Sequence, residues 1–310
     1  MSADRPELYI VAGPSGAGKS SIFNSSENEH LRYIDRFNID DRLAQLNNGS
    51  YRDIPNELRP QANRELAEFI KAHIGNRRSF STETTLRHPA MLNVTERAAD
   101  SGFETRFTYV AAENADIHIK RVQERAIRGG HSAPPEVIRS IYEESTSRVP
   151  RVLELAEQGK ISSLRIYDNT GREPVLQIRV EEGYVIDVSR QIAPWIDRTL
   201  ANSKYAVPEL QQARGGLLSE IDLEQQQGRR LEPLHQALSL EDAQQFKWAA
   251  QTGSIQSYRH PETGKHIHID SISGQFYNQQ RNPISQQAAL AHAMPSGHDH
   301  ALDQGYGYSR

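Results

Sequence analysis

The sequence predicts an α/β protein: a parallel sheet flanked by helices over residues 1–190, with a smaller α+β extension over residues 191–310. Three observations predict it. Short apolar runs alternate with helical periodicity as far as residue 190, the pattern of strand–helix–strand units. A turn rich in glycine and serine and containing one lysine joins the first apolar run to the first helix. Beyond residue 190 the composition shifts toward Gln, Glu and Leu, and the strand–helix alternation stops.

Leu8 to Ala12 is a continuous apolar run, as a strand buried on both faces requires. Gly13 to Ser20 reads as a turn entering a helix, and Tyr33 to Asn38 as a second strand. Leu58, Ala62, Leu66, Phe69 and Ile70 recur at helical spacing within 57–74. The stretch SFSTETTL, residues 79–86, is a strand with its exit loop. A helix over 89–100, a strand over 107–111 and helices over 114–128 and 135–158 follow, the last kinked or split by Pro150. A strand over 163–167 and a strand pair within 175–188 complete the first domain. In the extension, 209–245 reads as helical with breaks at Gly215-Gly216 and Gly228. Residues 255–278 read as a hairpin turning at Pro261-Glu262-Thr263-Gly264, and 285–293 as a short helix. The last 15 residues read as a loose tail.

The chain has 310 residues, 36% of them hydrophobic, no cysteine and a formal net charge of −4; its mean hydropathy is −0.69. The acidic balance argues against a nonspecific nucleic-acid binder, so no nucleic-acid partner is expected. The lack of cysteine removes disulfides, thiolate zinc sites and thiol catalysis, and fits a reducing compartment. No basic segment precedes an apolar leader core, and no apolar stretch is long enough to span a bilayer. The expectation is a cytoplasmic protein without a membrane partner; export by a dedicated machine would leave no such mark.

Gly13-Pro14-Ser15-Gly16-Ala17-Gly18-Lys19-Ser20 matches G-x-x-x-x-G-K-[ST], a phosphate-binding loop, and Ser21 continues it. Glycines let successive N–H groups point at a phosphate, and the following helix adds its positive end. Lys19 reaches the terminal phosphates, and the Ser20 hydroxyl is a ligand for Mg²⁺. ATP and Mg²⁺ are the expected cofactors. The guanine-specifying N-K-x-D pattern is absent, as is an apolar run ending in paired acids, so a small-molecule kinase fits better than a GTPase or a motor ATPase.

A kinase needs a base for the acceptor hydroxyl and cations around the moving phosphoryl group. Asp40, just past the second strand, is the candidate base; its alternative is a helix cap, for which Asp41 is the better choice. Glu83, Thr84 and Thr85, at the exit of the third strand, suit an acceptor sugar or a metal-bound water, or else cap the next helix. Arg121, Arg125 and Arg128 lie three or four residues apart, so they repel one another unless an anion lies between them; the alternative is a solvated face partly neutralised by Glu124. Gly129-Gly130 would then hinge a lid.

These stretches together resemble the zeta toxin family of P-loop kinases, in its zeta-like branch. The matching residues are GPSGAGKSS (13–21), FNID (37–40), ETTL (83–86), RVQERAIRGGHSAP (121–134) and YDNT (167–170). The resemblance covers residues 6–190 and implies ATP-dependent phosphorylation of UDP-N-acetylglucosamine at its 3′-hydroxyl, and hence toxicity. By position it implies that Asp40 is the general base and that Lys19, Arg125 and Arg128 act on the phosphates. Gly13 to Ser21, Asp168 and Asn169 would bind the nucleotide, and Asp40, Glu83, Thr84 and Thr85 the nucleotide sugar. One departure stands out: where relatives show Arg-Arg-Tyr, this chain has Ser140-Ile141-Tyr142, with Arg139 or Arg148 as substitutes. Kinases of another hydroxylated metabolite, and a non-catalytic nucleotide-gated effector, remain open alternatives.

Residues 191–310 resemble nothing in that family. Their place after a toxic kinase suggests a regulatory module, an antitoxin in cis, alongside the alternative of a separate antitoxin chain. Trp248, Tyr258, Phe276 and Tyr277 suggest a small core of their own. His260, His266, His268, His292, His298 and His300 read as surface histidines on the hairpin and tail rather than as a metal site.

Overall fold

The computed structural model describes residues 5–23, 31, 33–130, 132–221 and 231–295. They fall into two compact units, Met1–Ile221 and Asp222–Arg310.

The first unit is built on a seven-stranded sheet in the order β2-β3-β1-β4-β5-β6-β7. Its strands are β1 (Glu7–Ala12), β2 (Asp35–Phe37), β3 (Phe80–Thr84), β4 (Glu104–Ala111), β5 (Ser163–Asp168), β6 (Val175–Glu181) and β7 (Tyr184–Val188). The first five pair in parallel, and β6 and β7 add antiparallel. The helices between them are α1 (Lys19–Phe23), α2 (Ile39–Leu46), α3 (Leu58–Gly75), α4 (Ala90–Asp100), α5 (Ala115–Ile127), α6 (Pro135–Thr146) and α7 (Val149–Glu157). They cover both faces of the sheet, which is why Leu8 to Ala12 are all buried. The predicted α/β fold with a mainly parallel sheet is the one observed.

Local chemistry sets the element boundaries. The expected long helix over 135–158 is two helices, with the break at Ser147–Arg148. Pro150 occupies the first turn of α7, where its missing N–H goes unneeded. Between β6 and β7 the chain turns on Glu182 (φ 48°) and Gly183 (φ 79°), two left-handed residues that match the twist of a tight hairpin.

The division between units lies at 221/222 rather than at the expected 190/191. After β7 the chain forms α8 (Pro194–Leu200) and α9 (Val207–Gln212). Trp195, Ile196, Leu200 and Leu210 lie in the same apolar core as Phe107, Tyr109, Ile166 and Ile178. The Trp195 ring lies 6.0 Å from that of Tyr109. Composition changes at 190, but the apolar surface of α8 has nowhere else to go.

The second unit holds an antiparallel sheet in the order β12-β11-β10-β9-β8, made of β8 (Lys247–Thr252), β9 (Ile255–Arg259), β10 (His266–Asp270), β11 (Phe276–Tyr277) and β12 (Pro283–Ile284). The expected hairpin is its centre, β9 to β10, with Gly264 at φ 69° in the turn. The expected short helix is Gln286–Ala293. The continuous helix expected over 209–245 is broken: 207–212, 231–237 and 240–243 are helical, 218–220 forms a 3₁₀ turn, and 222–230 lies outside the described residues. The tail, 296–310, lies outside them too.

Tyr258, Phe276 and the partly buried Trp248 share the second core, but Tyr277 does not, because strand alternation turns it to the opposite face. His260 is not on the surface; it is buried against the ring of Phe246. Among the described residues no helix is long and apolar enough to cross a membrane.

The packing of α8 yields a stability test. Trp195→Ala is expected to lower the unfolding free energy by about 3–5 kcal/mol, read from urea denaturation. A loss below about 1 kcal/mol would show that α8 lies outside the cooperative core.

Candidate functional site

Parallel strands deliver their C-terminal ends to one edge of the sheet, where Ala12, Phe37, Thr84 and Ala111 meet. A cleft of about 820 Å³ opens there. Its middle is the loop from β1 to α1. Gly13, Gly16 and Gly18 have φ of 145°, 78° and 92°, values that side chains other than hydrogen resist. Space imposes the same demand. A Cβ at Gly13 would lie 1.9 Å from the Val110 carbonyl oxygen, at Gly16 2.8 Å from that of His118, and at Gly18 2.3 Å from Asn169 Nδ2. The loop is therefore packed against β4, α5 and the residue after β5.

Hydrogen bonds hold it in place from β3, α5 and the residue after β5. Gly13 N–H donates to the Thr84 carbonyl (3.1 Å). Asn169 Nδ2 donates to Ala17 O (2.7 Å). His118 Nε2 accepts from Ala112 N–H (3.0 Å), so Nδ1 carries the proton and donates to Ser15 O (2.9 Å). Burial pushes the His118 pKa down to about 4, with Lys19 and Arg121 pressing the same way. His118 went unnoticed in the sequence because a helical histidine carries no pattern; only the fold brings it under Ser15, 103 residues away.

Lys19 opens α1, and its Nζ donates to the carbonyls of Gly13 (2.8 Å) and Pro14 (3.1 Å). Burial lowers its pKa, while the carboxylates of Glu83 and Asp40 act to raise it. Ser20 and Ser21 are exposed on the cleft wall. The Ser20 hydroxyl fits Mg²⁺ as a hard oxygen donor beside the phosphate loop. Among the described residues no group of three or more His, Cys, Asp or Glu could hold a metal; Mg²⁺ ordinarily takes few protein ligands and completes its shell with phosphate oxygens and water.

On the β2–β3 side, the cap of α2 is neither aspartate but Asn38, which accepts from Asp40 N–H (2.9 Å) and Asp41 N–H (3.2 Å). That leaves the Asp40 carboxylate on the cleft wall without a capping role. Asp41 accepts from the Tyr51 hydroxyl (2.7 Å), bringing an aromatic ring to the cleft. Glu83 pairs with Arg36. Thr84 Oγ1 accepts from Leu86 N–H (3.0 Å) and Thr85 Oγ1 from Arg87 N–H (3.4 Å), so both hydroxyls brace the exit turn while lining the cleft. They brace a strained position, since Leu86 is fully buried at φ 54°.

The arginines divide. Arg125 lines the cleft, whereas Arg128 is the exposed C-terminal cap residue of α5 and stands outside the wall. Asp168 is also outside it: its Oδ1 accepts from Trp195 Nε1 (2.9 Å) and Thr170 Oγ1 (2.6 Å), tying α8 to the sheet. Neither substitute for the missing arginine pair reaches the cleft. Arg139 pairs with Asp116 (2.6 Å) and Arg148 Nη1 donates to Glu144 O (2.7 Å). Ser140 instead donates to Glu144 (2.6 Å), which accepts from Arg87 Nε (3.1 Å). Arg87, Arg121 and Arg172 line the cleft. Of these, Arg87 was within reach of sequence reasoning, because it follows ETTL directly.

The family model described as Zeta toxin matches residues 1–181. No curated protein matches the chain. The native AvrRxo1-ORF1:-ORF2 complex contains a chain of the same fold, at 15% identity and TM-score 0.51, covering 70% of this chain and 78% of that one. A structure of the PezAT chromosomal toxin–antitoxin system of Streptococcus pneumoniae aligns at 18% identity and TM-score 0.44, over 56% of this chain and 73% of that one.

The buried histidine under the loop makes the fold acid-sensitive. A folded pKa of about 4 against an ordinary value near 6.5 means that His118 stabilises the fold fully above about pH 6.5 and loses that contribution as pH falls toward 4. The loss is about 3 kcal/mol for this group. Urea titrations of wild type and His118→Gln across that range should differ in slope; parallel curves would contradict the assignment.

Proposed function

Because the chain belongs to the zeta toxin family, we propose that it is an ATP-dependent kinase. In this reading it moves the γ-phosphoryl group onto the 3′-hydroxyl of UDP-N-acetylglucosamine and acts as a toxin by removing that precursor. The observation that supports it best is one cleft lined by both Lys19 and Asp40, close enough for the carboxylate to act on the ammonium. A phosphate loop alone would serve any nucleotide protein; a carboxylate facing it from β2 serves transfer.

The residues divide the chemistry between them. Backbone N–H groups of Gly16, Gly18, Lys19 and Ser20 hold the triphosphate, and Lys19 exchanges its loop carbonyls for phosphate oxygens. Mg²⁺, held by Ser20 and the triphosphate, supplies charge neutralisation. Glu83, Thr84 and Thr85 orient the acceptor. The acceptor oxygen attacks the γ-phosphorus as its proton passes to the Asp40 carboxylate. The bond from phosphorus to the β,γ-bridging oxygen breaks, and ADP leaves. Arg125 stabilises the charge that develops.

A second reading, a nucleotide-gated effector without transfer, draws support from Arg139 and Arg148 both being engaged away from the cleft. A toxin also calls for an antitoxin, either a separate chain or residues 222–310 acting in cis.

Mass spectrometry of UDP-N-acetylglucosamine incubated with the protein, ATP and Mg²⁺ should detect a gain of one phosphoryl group. Asp40→Asn should keep ATP binding and lose about 10²–10⁴ in transfer rate. Transfer to other hydroxylated metabolites alone would move the acceptor, and ATP binding with no product would favour the effector. Removal of residues 222–310 should raise toxicity in cells if they inhibit in cis; unchanged toxicity contradicts that role.

A further inference from the structure

Asp40 hangs from the weakest strand of its sheet. β2 has three residues, lies at the end of the sheet and pairs with β3 alone. So short an edge strand is fixed by few ladder bonds, yet β2 and the Asn38 cap decide where the first turn of α2 carries Asp40. The further support comes from α3. His73, buried near its end, has both ring nitrogens on oxygen: Nδ1 donates to Phe69 O (2.8 Å), and Nε2 lies 3.0 Å from Oδ2 of Asp35, the first residue of β2. Arg78 Nη2 donates to the same oxygen (2.5 Å). The hydrogen bond from His73, with the charge of Arg78 behind it, holds the Asp35 carboxyl below its ordinary value.

Packing sets the ring before Asp35 meets it. The His73 ring lies 4.0 Å from that of Phe69 and 5.4 Å from that of Phe80, and Phe69 in turn lies 5.4 Å from Phe37, the last residue of β2. With the plane fixed by those rings and by the Nδ1 bond, Nε2 is aimed at β2 in advance. Arg42, two residues beyond Asp40, donates from Nη2 to Glu65 of α3 (3.1 Å). One helix therefore holds both the strand before Asp40 and the helix that bears it. Neither His73 nor Asp35 lines the cleft, so neither touches a substrate there. The phosphate loop is held from elsewhere, by Thr84, His118 and Asn169.

We propose that His73 and Asp35 are positioning residues for the base: the pair pins β2 to α3 and so sets the Asp40 carboxylate against the acceptor hydroxyl, with no part in holding the nucleotide. This rests on the kinase reading above. Reacting groups misplaced by about 1 Å lose on the order of 10² in rate, so a support remote from the cleft acts on transfer and not on binding.

The test is a double-mutant cycle on the full chain, with phosphoryl transfer from ATP to UDP-N-acetylglucosamine followed by mass spectrometry and ATP binding by calorimetry, both with Mg²⁺. His73→Phe keeps an aromatic ring in the packing and removes both hydrogen bonds. It should lower kcat about ten- to a hundredfold and leave the Kd for ATP within about twofold of wild type, which also shows that it is folded. Asp35→Ala should do the same, and Asp35→Asn, which keeps an acceptor for Nε2, should restore kcat to within about threefold. In the Asp40→Asn background, where no base remains to be placed, His73→Phe should change the residual rate by no more than about twofold. An equal loss in both backgrounds would give the pair a general role in the fold and overturn the proposal. So would an unchanged kcat, or ATP binding lost along with transfer, and in each of these cases the kinase reading stands. A wild type that transfers nothing removes the kinase reading, and this role with it.

Discussion

The structure depends on a loop that has no room for a side chain at three of its positions. At Gly13, Gly16 and Gly18 a single added carbon would collide with the Val110 carbonyl, the His118 carbonyl and the Asn169 amide. Two of these neighbours, His118 and Asn169, also hydrogen-bond the loop, and Thr84 on the other flank of β1 supplies a third bond. Close packing and polar pairing therefore converge on one backbone path, of the kind that presents N–H groups to an anion. The order of the sheet follows from the same need. β1 must sit between β3 and β4 for the loop to be gripped from both sides, and Asp40 and Arg121 then arrive from opposite flanks.

Much of this was legible in the sequence, and the reasons are particular. The β1 run and the glycine spacing leave few alternatives, because a strand buried on both faces and a loop with left-handed φ each restrict residue type. Asp40 was legible as the residue just beyond a strand end. Its separation from the cap was not, because Asn38, Asp40 and Asp41 are all competent caps and only the backbone angle at Asn38 decides among them. The boundary at 190 was misread for a related reason. Polar composition signals a change of surface, whereas Trp195 and its neighbours bury only a few side chains, too few to alter the average. His118 and Arg121 were illegible as a pair of supports because their partners, Ser15 and Thr170–Gly171, are remote in sequence.

Two sequence candidates, Asp168 and Arg128, lie outside the cleft wall, and what they do instead is instructive. Asp168 spends its acceptors on Trp195 and Thr170, welding the last strand of the parallel set to α8. Arg128 closes the C-terminal end of α5, where a cation opposes the helix dipole. In both cases one motif residue carries structure, and a neighbour within three positions, Asn169 or Arg125, lines the cleft. Where the family pattern supplies an arginine pair, Ser140 and Glu144 here organise Arg87, so positive charge reaches the cleft from β3 rather than from α6.

The claim on which the rest stands is that the loop after β1 grips a polyphosphate through its backbone. Calorimetric titration of the intact chain with ATP and Mg²⁺, compared with Gly18→Val, tests it most directly. The account predicts one saturable site in the wild type and none in the variant, whose side chain would displace Asn169. Absence of binding by the wild type, or equal binding by both proteins, would contradict it.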